Sequence, residues 1–128
     1  MIEADVKAAI RLAVGKHAPH VRLFNNPVGL AWQGRLLLQG GGRLVLEHPR
    51  RVSYGLQPGS GDLIGWSTVT VTPEMVGQRL AVFVSAEVKH KSATAGDQTQ
   101  WRDVVRAAGG FADIVRSPED ALRLVAGQ

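Results

Sequence analysis

The chain of 128 residues has no cysteine, which excludes disulfides, thiol nucleophiles and cysteine-ligated zinc and is compatible with a reducing cytosol. It has no apolar run approaching the roughly 18 residues that mark a membrane-spanning helix. Its first residues are acidic and amphipathic rather than a basic stretch leading into an apolar one, so neither a membrane partner nor export is expected. No repeat of roughly 20 to 50 residues is present, which argues against solenoids and propellers. Long polar tracts are missing too, and with them the signature of disorder. Aromatic residues are few, at 5%, yet three of them are tryptophans.

What is there fits one compact domain spanning residues 1–128, with 45% hydrophobic and 20% charged residues. The formal net charge is +4 and the pI about 10.1, with lysine and arginine scattered along the chain. That balance suits a polyanionic partner such as DNA, because each cation set against a phosphate releases condensed counterions. The same balance also arises from a basic face that simply meets solvent.

Ile2, Val6, Ala9, Ile10, Ala13 and Val14 recur at helical spacing, which predicts an opening amphipathic helix closed by Gly15. A strand is expected over 21–24, broken at Asn25-Asn26-Pro27, and a hairpin over 36–46 turning at Gly40-Gly41-Gly42. The loop 54–61 then delivers Asp62 to a short strand over 63–66. Two further strands are expected over 69–71 and 80–88, the second apolar enough to lie mid-sheet. Asp97 is positioned to cap a helix carrying the stripe Trp101, Val104, Val105 and Ala108, ended by Gly109-Gly110. A strand over 111–115 and a last helix capped by Ser117-Pro118 complete the order. The expected class is α/β, a mixed central β-sheet flanked by helices.

Glu87-Val88-Lys89 closes the most apolar strand, and alternation puts Glu87 and Lys89 on one face with Val88 directed into the opposite layer. If Asp62 reaches the same place, two carboxylates offer the hard oxygen ligands that Mg²⁺ or Mn²⁺ takes, and the Val88 carbonyl is a further donor. Phosphodiester hydrolysis needs a cation that polarises the phosphoryl oxygen and activates a water, together with a positive group near the developing charge, for which Lys89 is suited. An Asp after Gly-Ser-Gly also serves as a plain turn residue, and Glu-x-Lys on a strand as an exposed charge pair. Charge at the end of a mid-sheet strand is costly, however, and calls for a reason.

Five short motifs occur in order: Arg22-Leu23-Phe24-Asn25-Asn26-Pro27-Val28-Gly29, Gly59-Ser60-Gly61-Asp62-Leu63-Ile64-Gly65, Glu87-Val88-Lys89, Gln98 ahead of Trp101, and Arg106-Ala107-Ala108-Gly109-Gly110. Their succession resembles the VRR-NUC family of nucleases within the PD-(D/E)xK superfamily, found in phages, bacteria and eukaryotic repair enzymes, and the resemblance spans residues 3–121. The resemblance implies a restriction-endonuclease-like core and a metal-dependent DNA endonuclease. It implies Asp62 and Glu87 as metal ligands, Lys89 as the active-site lysine, Glu3 as a further helical carboxylate, and Gln98 as a support of the site. It also implies a homodimer in a phage or bacterial cytosol, acting on branched or junction DNA. The chain departs from the superfamily pattern in carrying Gly61 where a proline precedes the aspartate, and in a long Asp62 to Glu87 separation.

Asn25, Asn26, Arg50, Arg51 and Lys91 are candidates for contacting DNA, with Arg43 on the same hairpin, while Asn25 and Asn26 also serve as strand-end turn formers. Trp32, Trp66 and Trp101 read as core residues before base-stacking platforms. The histidines, His17-x-x-His20 included, read as surface or turn residues. A nucleic-acid-binding module without catalysis is the alternative, keeping the basic surface and losing metal dependence.

Overall fold

A computed structural model of the chain describes residues 2–90 and 99–128. Its elements, in order, are α1 (Glu3–His17), β1 (Val21–Asn25), β2 (Gly29–Gly40), β3 (Arg43–Tyr54), β4 (Leu63–Ser67), a 3-10 turn (Pro73–Met75), β5 (Val84–Val88), α2 (Thr99–Ala107), β6 (Phe111–Val115) and α3 (Pro118–Val125). The chain is therefore a mixed α/β protein. It divides into two compact units, one of the residues up to Arg22 with Gly65–Gln128, the other Leu23–Ile64.

Instead of the single mixed central sheet expected, the described strands form three two-stranded sheets, β1 with β4, β2 with β3 and β5 with β6. In the first unit, β5, α2 and β6 make a parallel strand–helix–strand unit, with Val84 opposite Phe111 and Val88 opposite Val115. The buried apolar residues Val105 of α2, Ala112 and Val115 of β6 and Leu124 of α3 all belong to this unit. Trp66, Phe83 and Trp101 form an aromatic cluster beside it, with Trp66 and Phe83 centroids 4.7 Å apart and Trp66 and Trp101 5.9 Å apart. The edge-on approach of Trp66 to Trp101 suits the ring quadrupoles, while Trp66 and Phe83 meet tilted.

Local chemistry explains the punctuation of this unit. Gly109 ends α2 at φ +97°, and Gly110 N–H returns to the Val105 carbonyl at 2.9 Å, closing the helix by the left-handed route that glycine permits. Ser117 caps α3 by accepting the Asp120 N–H at 3.1 Å, with Pro118 at the first helical position where its missing N–H costs nothing. The helix expected to stop at Gly15 instead runs to His17, and none of its residues is buried. A lone glycine lowers helix stability by only about 1 kcal/mol, too little to end a helix that still has bonds to form. The predicted strand over 69–71 is not formed, and of 80–88 only Val84–Val88 is strand. β5 is thus not a central strand among the described residues, and Val88 is 78% exposed rather than packed into a second layer.

In the second unit the hairpin is longer than predicted, each strand having 12 residues. The turn is Gly41-Gly42, at φ +58° and +74°, the two-residue turn with both central residues left-handed whose twist matches paired strands. Register shifts between Gln33 and Arg35 and between Leu36 and Leu38 interrupt the ladder. At its base Gly55, at φ +81°, has no room for a side chain, since a Cβ there would run into the Pro27 carbonyl and lie 2.7 Å from Val28 Cγ2, whereas a Cβ on Gly29 would meet the movable end of the Tyr54 ring.

Candidate metal and phosphate site

The alternation predicted for β5 is present. Phe83, Ser85, Glu87 and Lys89 lie on its more covered side, and Val82, Val84, Ala86 and Val88 on its exposed side. Glu87 and Lys89 therefore project together, Nζ to Oε1 at 3.1 Å, with side chains 30% and 26% exposed respectively. They stand at the carboxyl end of a parallel strand pair, the edge where open α/β sheets bind ligands.

Two supports fix this end of the strand, and neither was read from the sequence. Trp101 Nε1 of α2 donates to Ser85 Oγ at 2.8 Å, tying the helix to the same face two residues before Glu87. Arg116, just past β6, donates from a terminal guanidinium nitrogen to the His90 carbonyl at 2.7 Å, holding the chain as it leaves Lys89. Ser85 was accessible in principle, since period-two spacing sets it beside Glu87. Arg116 was not, because its partner lies across a crossover of more than twenty residues.

The backbone adds a donor. Phe111 N–H bonds the Phe83 carbonyl at 2.8 Å and Lys89 N–H the Val115 carbonyl at 3.1 Å, so the odd-numbered residues of β5 pair with β6. The Val88 carbonyl turns the other way, toward the edge at which no further strand is hydrogen-bonded among the described residues. A carboxylate and an adjacent outward carbonyl fit a hard cation that keeps most of its waters. Among the described residues, no three of His, Asp and Glu gather closely enough to hold an ion by themselves.

The other predicted residues are placed as follows. Glu3 is 76% exposed and engaged by Lys7 at 3.2 Å, one turn on along α1. Asp62 belongs to the second unit, exposed immediately before β4, and its carbonyl accepts the Asn26 N–H at 2.9 Å. Asn26, expected to touch phosphate, has another task. It is 7% exposed, its amide nitrogen donates to Ser60 Oγ and the Gly61 carbonyl, each at 2.8 Å, and its amide oxygen accepts the Leu56 N–H at 3.0 Å. With both amide hydrogens donated within the loop, its side chain shapes the segment that presents Asp62.

Asn25 ends β1 exposed, and Arg50 and Arg51 are exposed on β3. Lys91, Gln98 and the Asp97 cap lie outside the described residues. Of the tryptophans read as core, Trp66 and Trp101 join the aromatic cluster, but Trp32 is 64% exposed on β2. A hollow of about 290 Å³ beside the aromatic cluster, between Val71, Leu80 and Val105, has no ionisable residue in its lining and offers nothing to phosphate chemistry. No known family, curated protein or solved structure matches the chain.

Proposed function

We propose that the protein is a Mg²⁺- or Mn²⁺-dependent DNA endonuclease with a PD-(D/E)xK-type centre at the end of β5. The observation that carries the reading is the half-covered Glu87–Lys89 pair at the carboxyl edge of a parallel strand pair. A surface ion pair stabilises a fold by about 0 to 1 kcal/mol, so stability alone gives little reason to set these two charges where a ligand would dock.

A bound divalent cation supplies polarisation of the phosphoryl oxygen and acidifies the attacking water. Glu87 and the Val88 carbonyl are the donors this strand offers it, with Asp62 and Glu3 the further carboxylates that the VRR-NUC resemblance implies. Lys89 pairs with Glu87 because its ammonium and the carboxylate share one face. When phosphate arrives, the ammonium turns from the carboxylate to the incoming anion, orients the water and balances charge that builds on the phosphorus oxygens. Arg116 holds the backbone behind it. A homodimer acting on branched DNA is the form this proposal favours, since two-fold symmetry presents two sites to a two-fold substrate.

Incubation with supercoiled plasmid and with a synthetic four-way junction, in Mg²⁺, Mn²⁺ or chelator, tests the reading. Wild-type protein should nick or cut only with metal, and Glu87→Ala and Lys89→Ala should lose at least about a hundredfold in rate. Cleavage in chelator, or full activity in Lys89→Ala, overturns it. The hairpin's four arginines, Arg35, Arg43, Arg50 and Arg51, support the second reading, DNA binding without catalysis. In that case salt-sensitive binding persists while no substrate is cut.

A further inference from the structure

We infer that Trp32, with Arg51 directly across the β2–β3 ladder, is a stacking platform for an unpaired nucleobase, so that the hairpin recognises DNA with single-stranded or splayed nucleotides. The inference rests on the DNA-directed reading above and adds to it the class of substrate and the residues that select it.

Trp32 is 64% exposed, whereas the other two tryptophans share a cluster with Phe83. The register sets Trp32 opposite Arg51 and Leu30 opposite Ser53, and directly opposed residues project from the same face of a ribbon. The indole therefore has a guanidinium as its immediate cross-strand neighbour. Arg35 is ion-paired with Glu47, and Arg50 donates to Gln33 from the opposite face. The Arg51 side chain makes no hydrogen bond or ion pair among the described residues, so on this face a large π surface and a free cation stand side by side.

Charge decides what such a face binds. The hairpin has four arginines and one carboxylate, Glu47, and so holds most of the chain's net charge of +4. A second copy on this face would bring a second uncompensated Arg51 and be repelled, whereas a nucleotide presents an aromatic plane and an anion at adjacent-residue spacing. Stacking on an exposed aromatic ring tolerates any base, and each stacked base typically changes affinity by roughly tenfold or more. Bases within a duplex are already stacked on each other and have no free plane to offer. The platform thus discriminates by strandedness while Arg51 answers the phosphate.

Fluorescence anisotropy of a labelled oligothymidylate and of a duplex of equal length, both in chelator so that nothing is cut, tests this. Wild type, Trp32→Ala, Trp32→Phe and Arg51→Ala are compared, with circular dichroism and elution volume as controls on folding and association. Trp32→Ala should weaken the single strand roughly tenfold or more and the duplex by less than about twofold, and Trp32→Phe should restore most of the loss. Arg51→Ala should weaken both and lower the salt slope by about one. Wild-type affinity for the single strand in Trp32→Ala, an equal loss on both substrates, or no single-strand binding by wild type overturns the inference, as does an elution volume that depends on Trp32, which would make the face a contact between copies. Cleavage in Mg²⁺ is followed in parallel. A protein that cuts nothing yet binds through Trp32 sinks the nuclease reading alone, and one that cuts while Trp32→Ala binds normally sinks the platform alone.

Discussion

Replacing Asn26 isolates the loop that presents Asp62. Its side chain makes three hydrogen bonds, at 2.8, 2.8 and 3.0 Å, to residues 30 to 35 positions away, and is 7% exposed. Each neutral bond contributes about 0.5 to 1.5 kcal/mol net, and leaving a covered partner unsatisfied costs about 1 to 3 kcal/mol. Water admitted by Asn26→Ala would satisfy some partners, so we expect a loss of about 2 to 3 kcal/mol. Asn26→Asp is the sharper test. It keeps the acceptor for Leu56 N–H and the shape of the side chain, and the Ser60 hydroxyl can turn to donate, but it sets an oxygen against the Gly61 carbonyl where a donor stood. A residue serving only as a turn former would tolerate Asp freely, whereas this geometry gives a loss of at least about 1 kcal/mol. Urea unfolding with unchanged slope measures the global effect, and hydrogen exchange of the Leu56 amide measures the local one. Asn26→Asp within about 0.3 kcal/mol of wild type, with Leu56 still protected, would refute the assignment.

Two further predictions follow from the first unit. A Cβ on Gly110 would meet Val105 Cγ1 at 2.8 Å and the Phe83 carbonyl at 2.9 Å. That carbonyl is held by Phe111 N–H, so it cannot yield, and Gly110→Ala should lower stability by about 1 to 3 kcal/mol, read as a lower urea midpoint; an unchanged midpoint would show that the strand shifts freely. Ser117→Ala removes the α3 cap and should cost about 1 kcal/mol in the same assay, with Ser117→Asp recovering most of it because Asp also accepts the Asp120 N–H.

Elements with local causes were legible in the sequence. Phe111–Val115 sits between a glycine pair and a capping serine, the α3 start has its Ser-Pro signal, and the hairpin turn is written in glycines. The Glu87–Lys89 juxtaposition needed only the two-residue period of a strand. What was not legible depended on partners distant in sequence. The apolar stretch 80–88 announces burial but not which part finds a neighbour, and only Val84–Val88 meets β6. Three tryptophans look alike in composition, and only the ladder shows that Trp32 shares a face with Arg51 while Trp101 reaches Ser85. Asn26 reads as a strand-end residue because its partners, Leu56, Ser60 and Gly61, enter on the far side of the hairpin.

That enclosure has a consequence for how the second unit can vary. Because Asn26 stitches the chain leaving β1 to the chain approaching β4, the ribbon of Gly29–Gly40 and Arg43–Tyr54 begins and ends at a single knot. Once that knot is tied, adding or removing rungs at the glycine tip leaves its geometry alone, since lengthening a closed loop costs little extra entropy. The length of the arm thus becomes a quantity that evolution or an engineer can adjust without disturbing the knot from which it springs.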